Sequence, residues 1–179
     1  MGSSGLVRWG AIGLMLGGVA WLVLGLSIRF GYLQAIQGRE DVVLFVIALL
    51  FTAVGLVGLH TLQRGSYGLL GQAGFYITLI AVTVRILGAV VFLAGSLALE
   101  WISMPATLGM LVGLILYGVA TLRAGVLPRW YGLALILCMP VSLPLAVYGT
   151  ALFGLIMVVL GYTLWLRRGV ATGQPSRVR

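Results

Sequence analysis

The stretch Leu70-Gly-Gln-Ala-Gly-Phe-Tyr-Ile-Thr-Leu-Ile-Ala-Val-Thr-Val-Arg85-Ile-Leu-Gly-Ala-Val-Val-Phe-Leu-Ala-Gly-Ser-Leu-Ala-Leu99 is apolar throughout, with a single charge near its middle. A helix that crosses the hydrocarbon of a bilayer needs about 20 predominantly apolar residues. This run exceeds that, so it reads as a membrane span. At 1.5 Å per residue, Arg85 is expected roughly 20–24 Å from each end of the run, farther than a snorkelling side chain reaches. A charge at the centre of a span costs at least about 2.5–3.5 kcal/mol on insertion scales, so something must offset it. Arg85 is therefore the position in the chain that asks for a functional explanation.

Its helical neighbours indicate where it points. Steps of three and four place Gly74, Thr78, Ala81, Arg85, Gly88, Ala89, Phe92 and Ser96 on one stripe, while Ile80, Leu87 and Val91 lie away from it. Small and polar residues in a membrane helix face other helices, so Arg85 is predicted to point into a bundle. The acids nearest in depth are none: Glu40, Asp41 and Glu100 are all expected at the outer surface. The candidates at similar depth are neutral, namely Thr52, Tyr117 and Ser142, with Tyr117 offering a cation–π face. Carbonyls freed by Pro140 and Pro144 are further acceptors. Arg85 then has two readings: a guanidinium satisfied by such groups and water that holds helices together, or a contact to an anion or to a partner subunit's carboxylate.

Composition supports the same solvent. The chain has 179 residues, of which 61% are hydrophobic and 8% charged, and a mean hydropathy of +1.17. Soluble domains carry about 25% charged residues. The net charge of +8 comes from eleven arginines and no lysine. These arginines stand singly between apolar runs and form no basic face, which argues against nucleic acid as a partner. They read as topology signals. The lone Cys138 excludes an intrachain disulfide. The first apolar run, Leu6–Ile28, is long for a signal-peptide core and lacks an Ala-x-Ala site, so it reads as a retained span.

The predicted fold is all-α, an integral membrane bundle of six transmembrane helices over 6–29, 41–62, 70–99, 104–123, 130–147 and 150–166. A single domain of residues 1–169 is followed by a short basic tail, 170–179. Ser103 is placed to cap the fourth helix and Pro105 falls in its first turn. The fifth and sixth spans are short, with only Tyr148-Gly149-Thr150 between them. With both termini in the cytoplasm, the inner side carries Arg8, Arg64, Arg123, Arg129, Arg167, Arg168, Arg177 and Arg179. The outer side carries Arg29 and Arg39. That bias follows the positive-inside rule and suits a multi-pass protein of the plasma (inner) membrane. Trp9, Tyr67, Trp130, Tyr131 and Trp165 are expected at the inner interface, and Tyr32, Trp101 and Tyr148 at the outer one.

A faint repeat links the inner helix ends. Gly58-Leu-His-Thr61-Leu62-Gln-Arg-Gly65 is echoed by Gly118-Val-Ala-Thr121-Leu122-Arg-Ala-Gly125, and Tyr67-Gly68-Leu69 by Tyr131-Gly132-Leu133. A weaker echo is Thr163-Leu164 before Arg167. Either three helical hairpins repeat in parallel, or each inner end independently requires Thr, Gly and Arg. The turn Leu122-Arg-Ala-Gly-Val-Leu-Pro-Arg-Trp130 resembles inner-face turns of bacterial multi-pass membrane proteins and implies no activity.

Other motifs are less specific. Pro140 and Pro144 predict a kinked fifth span. Gly13/Gly17 and Gly109/Gly113 are GxxxG pairs that allow close helix approach, within the bundle or to another chain. His60, the single histidine, is expected to be solvated at the inner interface, although one histidine can in principle ligate haem or chlorophyll. The cofactor is left unknown and no metal site is expected. No acid lies inside a span, and neither a Ser-His-Asp set nor a His-Glu-x-x-His motif is present. The leading expectation is a non-catalytic accessory or scaffold subunit that packs against another membrane protein, or a copy of itself, or binds lipid or pigment. The alternative is a small transporter or channel for an anionic or amphipathic solute that uses Arg85. Membrane lipids are partners under both.

Overall fold

A computed structural model describes residues 3–29 and 39–171. Among these residues there are six α-helices and no strand: α1 (Ser3–Arg29), α2 (Arg39–Gln63), α3 (Gly68–Leu93), α4 (Ser103–Ala124), α5 (Arg129–Ser142) and α6 (Ala146–Ala171). A short 3-10 turn, Glu100–Ile102, leads into α4. Five of the helices are long and apolar enough to cross a membrane; α5 is the shorter one. In hydrocarbon a backbone must satisfy its own hydrogen bonds, and apolar runs of this length do so as helices. The expected outer-belt Tyr32 and the tail arginines Arg177 and Arg179 lie outside the described residues.

The helices form a ring. Each packs chiefly against its neighbours in the order α1 to α6, and α6 closes on α1. Neighbours are antiparallel: Gly10 of α1 meets Gly58 of α2 while Gly17 meets Thr52, and Ala11 meets Gly161 of α6 while Gly25 meets Ala151. The ring thus has one end where α1 begins and α6 finishes, here the terminal end, and an opposite far end. The most extensive packing joins α1 to α6 and to α2, and α4 to α3 and to α5. The two remaining seams, α2/α3 and α5/α6, are thin. The molecule is accordingly two three-helix units, α6-α1-α2 and α3-α4-α5, joined edge to edge.

Several expectations change. The third helix stops at Leu93, not Leu99. Gly95 takes the left-handed conformation at φ 86°. The Ser96 N–H donates to the Val91 carbonyl (3.1 Å) and the Gly95 N–H to the Phe92 carbonyl (2.9 Å), the pair of bonds that closes a helix in a Schellman motif. Arg85 is therefore about two turns from the far end rather than at mid-span. Ser103 is the first residue of α4 and not its cap; Ile102 holds the cap position without a side-chain bond.

The fifth and sixth helices part at Leu143–Leu145, not at Tyr148–Thr150, which lies inside α6. Pro144 ends α5 rather than kinking it, because it has no N–H to give back to the helix. Pro140 remains inside α5. The hairpin is so tight that a Cβ on Gly149 would sit 1.7 Å from the Ser142 carbonyl oxygen. Tyr67 and Tyr131, at the terminal-end starts of α3 and α5, are buried, and each hydroxyl finds a partner on a neighbouring helix.

Candidate functional site

Arg85 reaches into the ring from α3 between the two units. One guanidinium N–H donates to Thr107 Oγ1 of α4, whose own proton goes to the Ser103 carbonyl at 2.8 Å. The guanidinium carbon lies 4.9 Å from the centre of the Phe45 ring of α2, a cation–π contact across the α2/α3 seam. A guanidinium carries five N–H donors. Among the described side chains, which do not include Glu100, the rest of them have no hydrogen-bond partner, and neither Glu40 nor Asp41 pairs with Arg85.

Two cavities meet at this side chain. A groove of about 270 Å³ follows the α2/α3 seam, walled by Val42 and Phe45 of α2, Gly88, Ala89 and Phe92 of α3, and Leu97 beyond it. The wall is made by the outer half of the small-residue stripe, which has no helix packed on it there. A second cavity of about 240 Å³ lies inside the ring, between Arg85, Trp21, Met110, Ser142, Thr150 and Phe153. The aromatic residues between the cavities are braced edge-to-face: Trp21 stands 5.4 Å from Phe45 and 5.5 Å from Phe153. The Trp21 Nε1–H is held by Thr52 Oγ1 at 3.1 Å. The arrangement is one partly exposed cation with spare donors in a mostly apolar cleft that also carries the hydroxyls of Ser96, Ser142 and Thr150. It suits an anionic group attached to an apolar body.

Of the neutral partners predicted for Arg85, only Ser142 shares a cavity with it, and the Ser142 hydroxyl donates to the Cys138 carbonyl. Thr52 is taken up by Trp21 and by the Ala48 carbonyl (2.7 Å) at the α1/α2 contact. Tyr117 lies deeper, toward the terminal end, edge-on to Tyr67 at 5.9 Å. Sequence reasoning missed Thr107, Phe45 and Trp21. Their depth matches that of Arg85 only once α3 is known to stop at Leu93.

The glycine pairs serve packing within each unit. A Cβ at Gly13 or Gly17 would lie 2.9 Å from the Phe51 carbonyl oxygen or 3.0 Å from the Thr52 nitrogen of α2. At Gly113 it would meet Thr78 Oγ1 at 2.3 Å, whereas at Gly109 the nearest atom is Ala81 Cβ at 3.4 Å. Within the second pair, only Gly113 is held that closely.

The terminal half of the ring is closed by a polar and aromatic layer. Thr121 Oγ1 of α4 donates to Gln63 Oε1 of α2 at 3.0 Å. His60 is not simply solvated: it stacks on Phe75 with ring centres 3.9 Å apart and is hydrogen-bonded through Nδ1 to the Tyr67 hydroxyl. Burial pushes the Tyr67 hydroxyl's pKa up, with Tyr76 adding to the shift and Arg64 opposing it, so Tyr67 keeps its proton near neutral pH. Across the other seam, the Tyr131 hydroxyl bonds to Thr163 Oγ1 and to the Leu160 carbonyl, the latter at 3.3 Å. No cluster of three metal-ligating side chains occurs among the described residues.

Comparison with known proteins adds no relative: no family model, curated protein or solved structure matches the chain.

Proposed function

We propose that the protein is a non-catalytic multi-pass membrane protein that binds an anionic amphiphile, with its carboxylate or phosphate head at Arg85 and its apolar body in the α2/α3 groove. The observation that carries this reading is the Arg85 guanidinium itself: among the described side chains it has one hydrogen bond and spare donors, and it lines both cavities. A groove of about 270 Å³ accommodates a head group and the first methylenes. The rest of a lipid-like molecule would extend along the seam into the bilayer. Arg is suited to the role because its planar fork offers two parallel bonds to a phosphate or carboxylate.

In this reading all six helices cross, both termini are cytoplasmic and the membrane is the plasma membrane. Helix α5 covers only about 21 Å, so the Leu143–Leu145 turn would sit inside the far leaflet. The repeat of three hairpins belongs to the same reading and rests on the sequence echoes at the inner helix ends. Thiol labelling of single cysteines placed at Trp101 and at Arg64, in a Cys138→Ala background, should report opposite sides; labelling of both from one side would overturn this topology.

The binding test uses a fluorescently tagged phosphatidylglycerol and the protein in mild detergent. Wild type should retain the probe, Arg85→Lys should hold it more weakly, and Arg85→Gln should lose it. Equal retention by all three would remove Arg85 from the site. Displacement by millimolar inorganic phosphate would mean that the head group alone is recognised and the apolar groove contributes nothing. A second reading, an accessory subunit whose partner's carboxylate reaches Arg85, is favoured by the open side of the α2/α3 groove, where Gly88, Ala89 and Phe92 flank Arg85. Under it, Arg85→Gln would release a protein that copurifies with wild type from the native membrane, and probe binding would be absent throughout.

A further inference from the structure

Arg85 stands at a junction. It lines both the α2/α3 groove and the inner cavity, so an anion on its guanidinium has space on two sides. A carboxylate or a phosphate monoester carries one substituent and would fill one of them. A phosphodiester carries two, one on each ester oxygen. The two spaces differ in chemistry. Val42, Phe45 and Phe92 wall the groove, which suits an arm that bears acyl chains. The inner cavity, about 240 Å³ against roughly 30 Å³ for one water, brings the side chains of Thr107, Ser142 and Thr150 into the same space as the guanidinium. Thr107 gives its proton to the Ser103 carbonyl and accepts from Arg85, and Ser142 gives its proton to the Cys138 carbonyl. A hydroxyl whose proton is committed offers only lone pairs, so Ser142 presents an acceptor to whatever enters. Two kinds of head group could answer it, a hydroxyl or an ammonium. An ammonium would share the cavity with the guanidinium, and no carboxylate stands among its described lining residues. Like charges repel strongly where the dielectric is low. A hydroxyl needs no counter-charge.

We infer that the ligand is a phosphodiester lipid with a small hydroxylated head of the glycerol type, its phosphate on Arg85, its acyl-bearing arm in the groove and its head in the inner cavity against Ser142. The inference rests on the reading of Arg85 as the anion site and names the ligand class for it. The guanidinium donors that Thr107 does not take serve the two free phosphate oxygens. Trp21, held by Thr52 and set edge-to-face between Phe45 and Phe153, keeps the two arms apart. Selection then has three parts: Arg85 requires the charge, the second cavity requires a second arm, and Ser142 requires a donor on it.

The test is competition by unlabelled lipids against phosphatidylglycerol tagged on its acyl chain, with the full-length protein in mild detergent. Four competitors of matched chain length separate the three parts. They are phosphatidylglycerol, phosphatidylmethanol (a phosphodiester without head hydroxyls), phosphatidylethanolamine (an ammonium in their place) and a fatty acid. Phosphatidylglycerol should compete best. Phosphatidylmethanol should be about fivefold weaker, the effect of one lost hydrogen bond, and the other two weaker still. Ser142→Ala should bring phosphatidylglycerol down to the level of phosphatidylmethanol and leave the latter unchanged. Thr150→Leu, which narrows the cavity from α6, should weaken phosphatidylglycerol and spare the fatty acid. Equal competition by phosphatidylglycerol, phosphatidylmethanol and the fatty acid, all of it lost in Arg85→Gln, would overturn the two-armed ligand and leave the Arg85 site standing. A preference for phosphatidylethanolamine would overturn the hydroxylated head. Glycerophosphoglycerol, the same head without acyl chains, should compete poorly; competition equal to that of the intact lipid would make the ligand a soluble phosphodiester. Binding that Arg85→Gln does not weaken would remove the site itself.

Discussion

Half of the α1 span is buried, but only 17% of the α3 span. Helix α1 is wedged between α2 and α6 along its whole length: Gly10 touches Gly58, Gly18 touches Gly154 and Gly25 touches Ala151. Helix α3 makes equally close contacts only in its first half, where Gly74 meets the Tyr117 nitrogen and Thr78 meets Gly113. Beyond Ala81 the close packing stops, and the cavities begin. In lipid there is no hydrophobic force between helices, so association depends on close packing of small residues and on hydrogen bonds. Where the small residues of α3 have no helix against them, the same chemistry that elsewhere makes contact makes space instead. One unit is thus a tight frame, and the other is tight at one end and open around Arg85.

The largest effect should come from breaking the frame. A Cβ at Gly58 would lie 2.4 Å from the Gly10 Cα. Backbone cannot move aside as a flexible side chain can, so Gly58→Val should destabilise by about 3 kcal/mol, read as a lower unfolding temperature in detergent. A loss under about 1 kcal/mol would mean that α1 and α2 are not held this close. Next in size is the α5/α6 seam. Tyr131→Phe removes the bonds to Thr163 and to the Leu160 carbonyl and should cost about 1 kcal/mol. An unchanged unfolding temperature would show that these bonds do not hold the terminal end shut. Arg85→Leu should go the other way and stabilise by about 1 kcal/mol, because it removes a partly buried cation with few partners. It leaves no donor stranded, since Thr107 already gives its proton to Ser103. A destabilised Arg85→Leu would instead make Arg85 a structural clamp.

The helical class and most of the breaks could be read in the chain, because the punctuation there is local. Arg64-Gly65-Ser66 and Pro128 act within a turn of where they stand. The end of α3 was equally local, in Gly95-Ser96, but the apolar residues on either side hid it: hydropathy measures transfer into lipid and not where a helix stops. The α5/α6 break was hidden similarly, with Pro144 read as a kink when it ends the helix. The direction of Arg85, on a small-residue stripe, was legible from periodicity. Its partners were not, since Thr107, Phe45 and Trp21 come from three other helices, and their matching depth depends on every helix end being placed correctly. Thr52 and Tyr117 were sound in chemistry and wrong in depth or direction for the same reason. The cavities are a property of absent contacts, and no periodicity in one helix reports what fails to pack against it.

The smallest effect tests where the tight half of α3 ends. Gly109 and Gly113 lie one turn apart on the same face of α4, and by sequence they are an equivalent pair. In the structure they are not. A methyl at Gly113 would press on Thr78 Oγ1 at 2.3 Å and on the Thr78 nitrogen at 2.7 Å, whereas at Gly109 it would meet only Ala81 Cβ at 3.4 Å, an ordinary contact. Gly113→Ala should therefore destabilise clearly. Gly109→Ala should fall within about 0.5 kcal/mol of wild type, because the helix-forming advantage of Ala over Gly offsets what little crowding there is. Paired unfolding curves of the two variants measure the difference directly. If both lose the same stability, α3 and α4 stay in close contact through Gly109, and the opening toward Arg85 does not begin there. If only Gly113→Ala does, the step from closed to open packing falls within a single turn of α4, just short of Thr107.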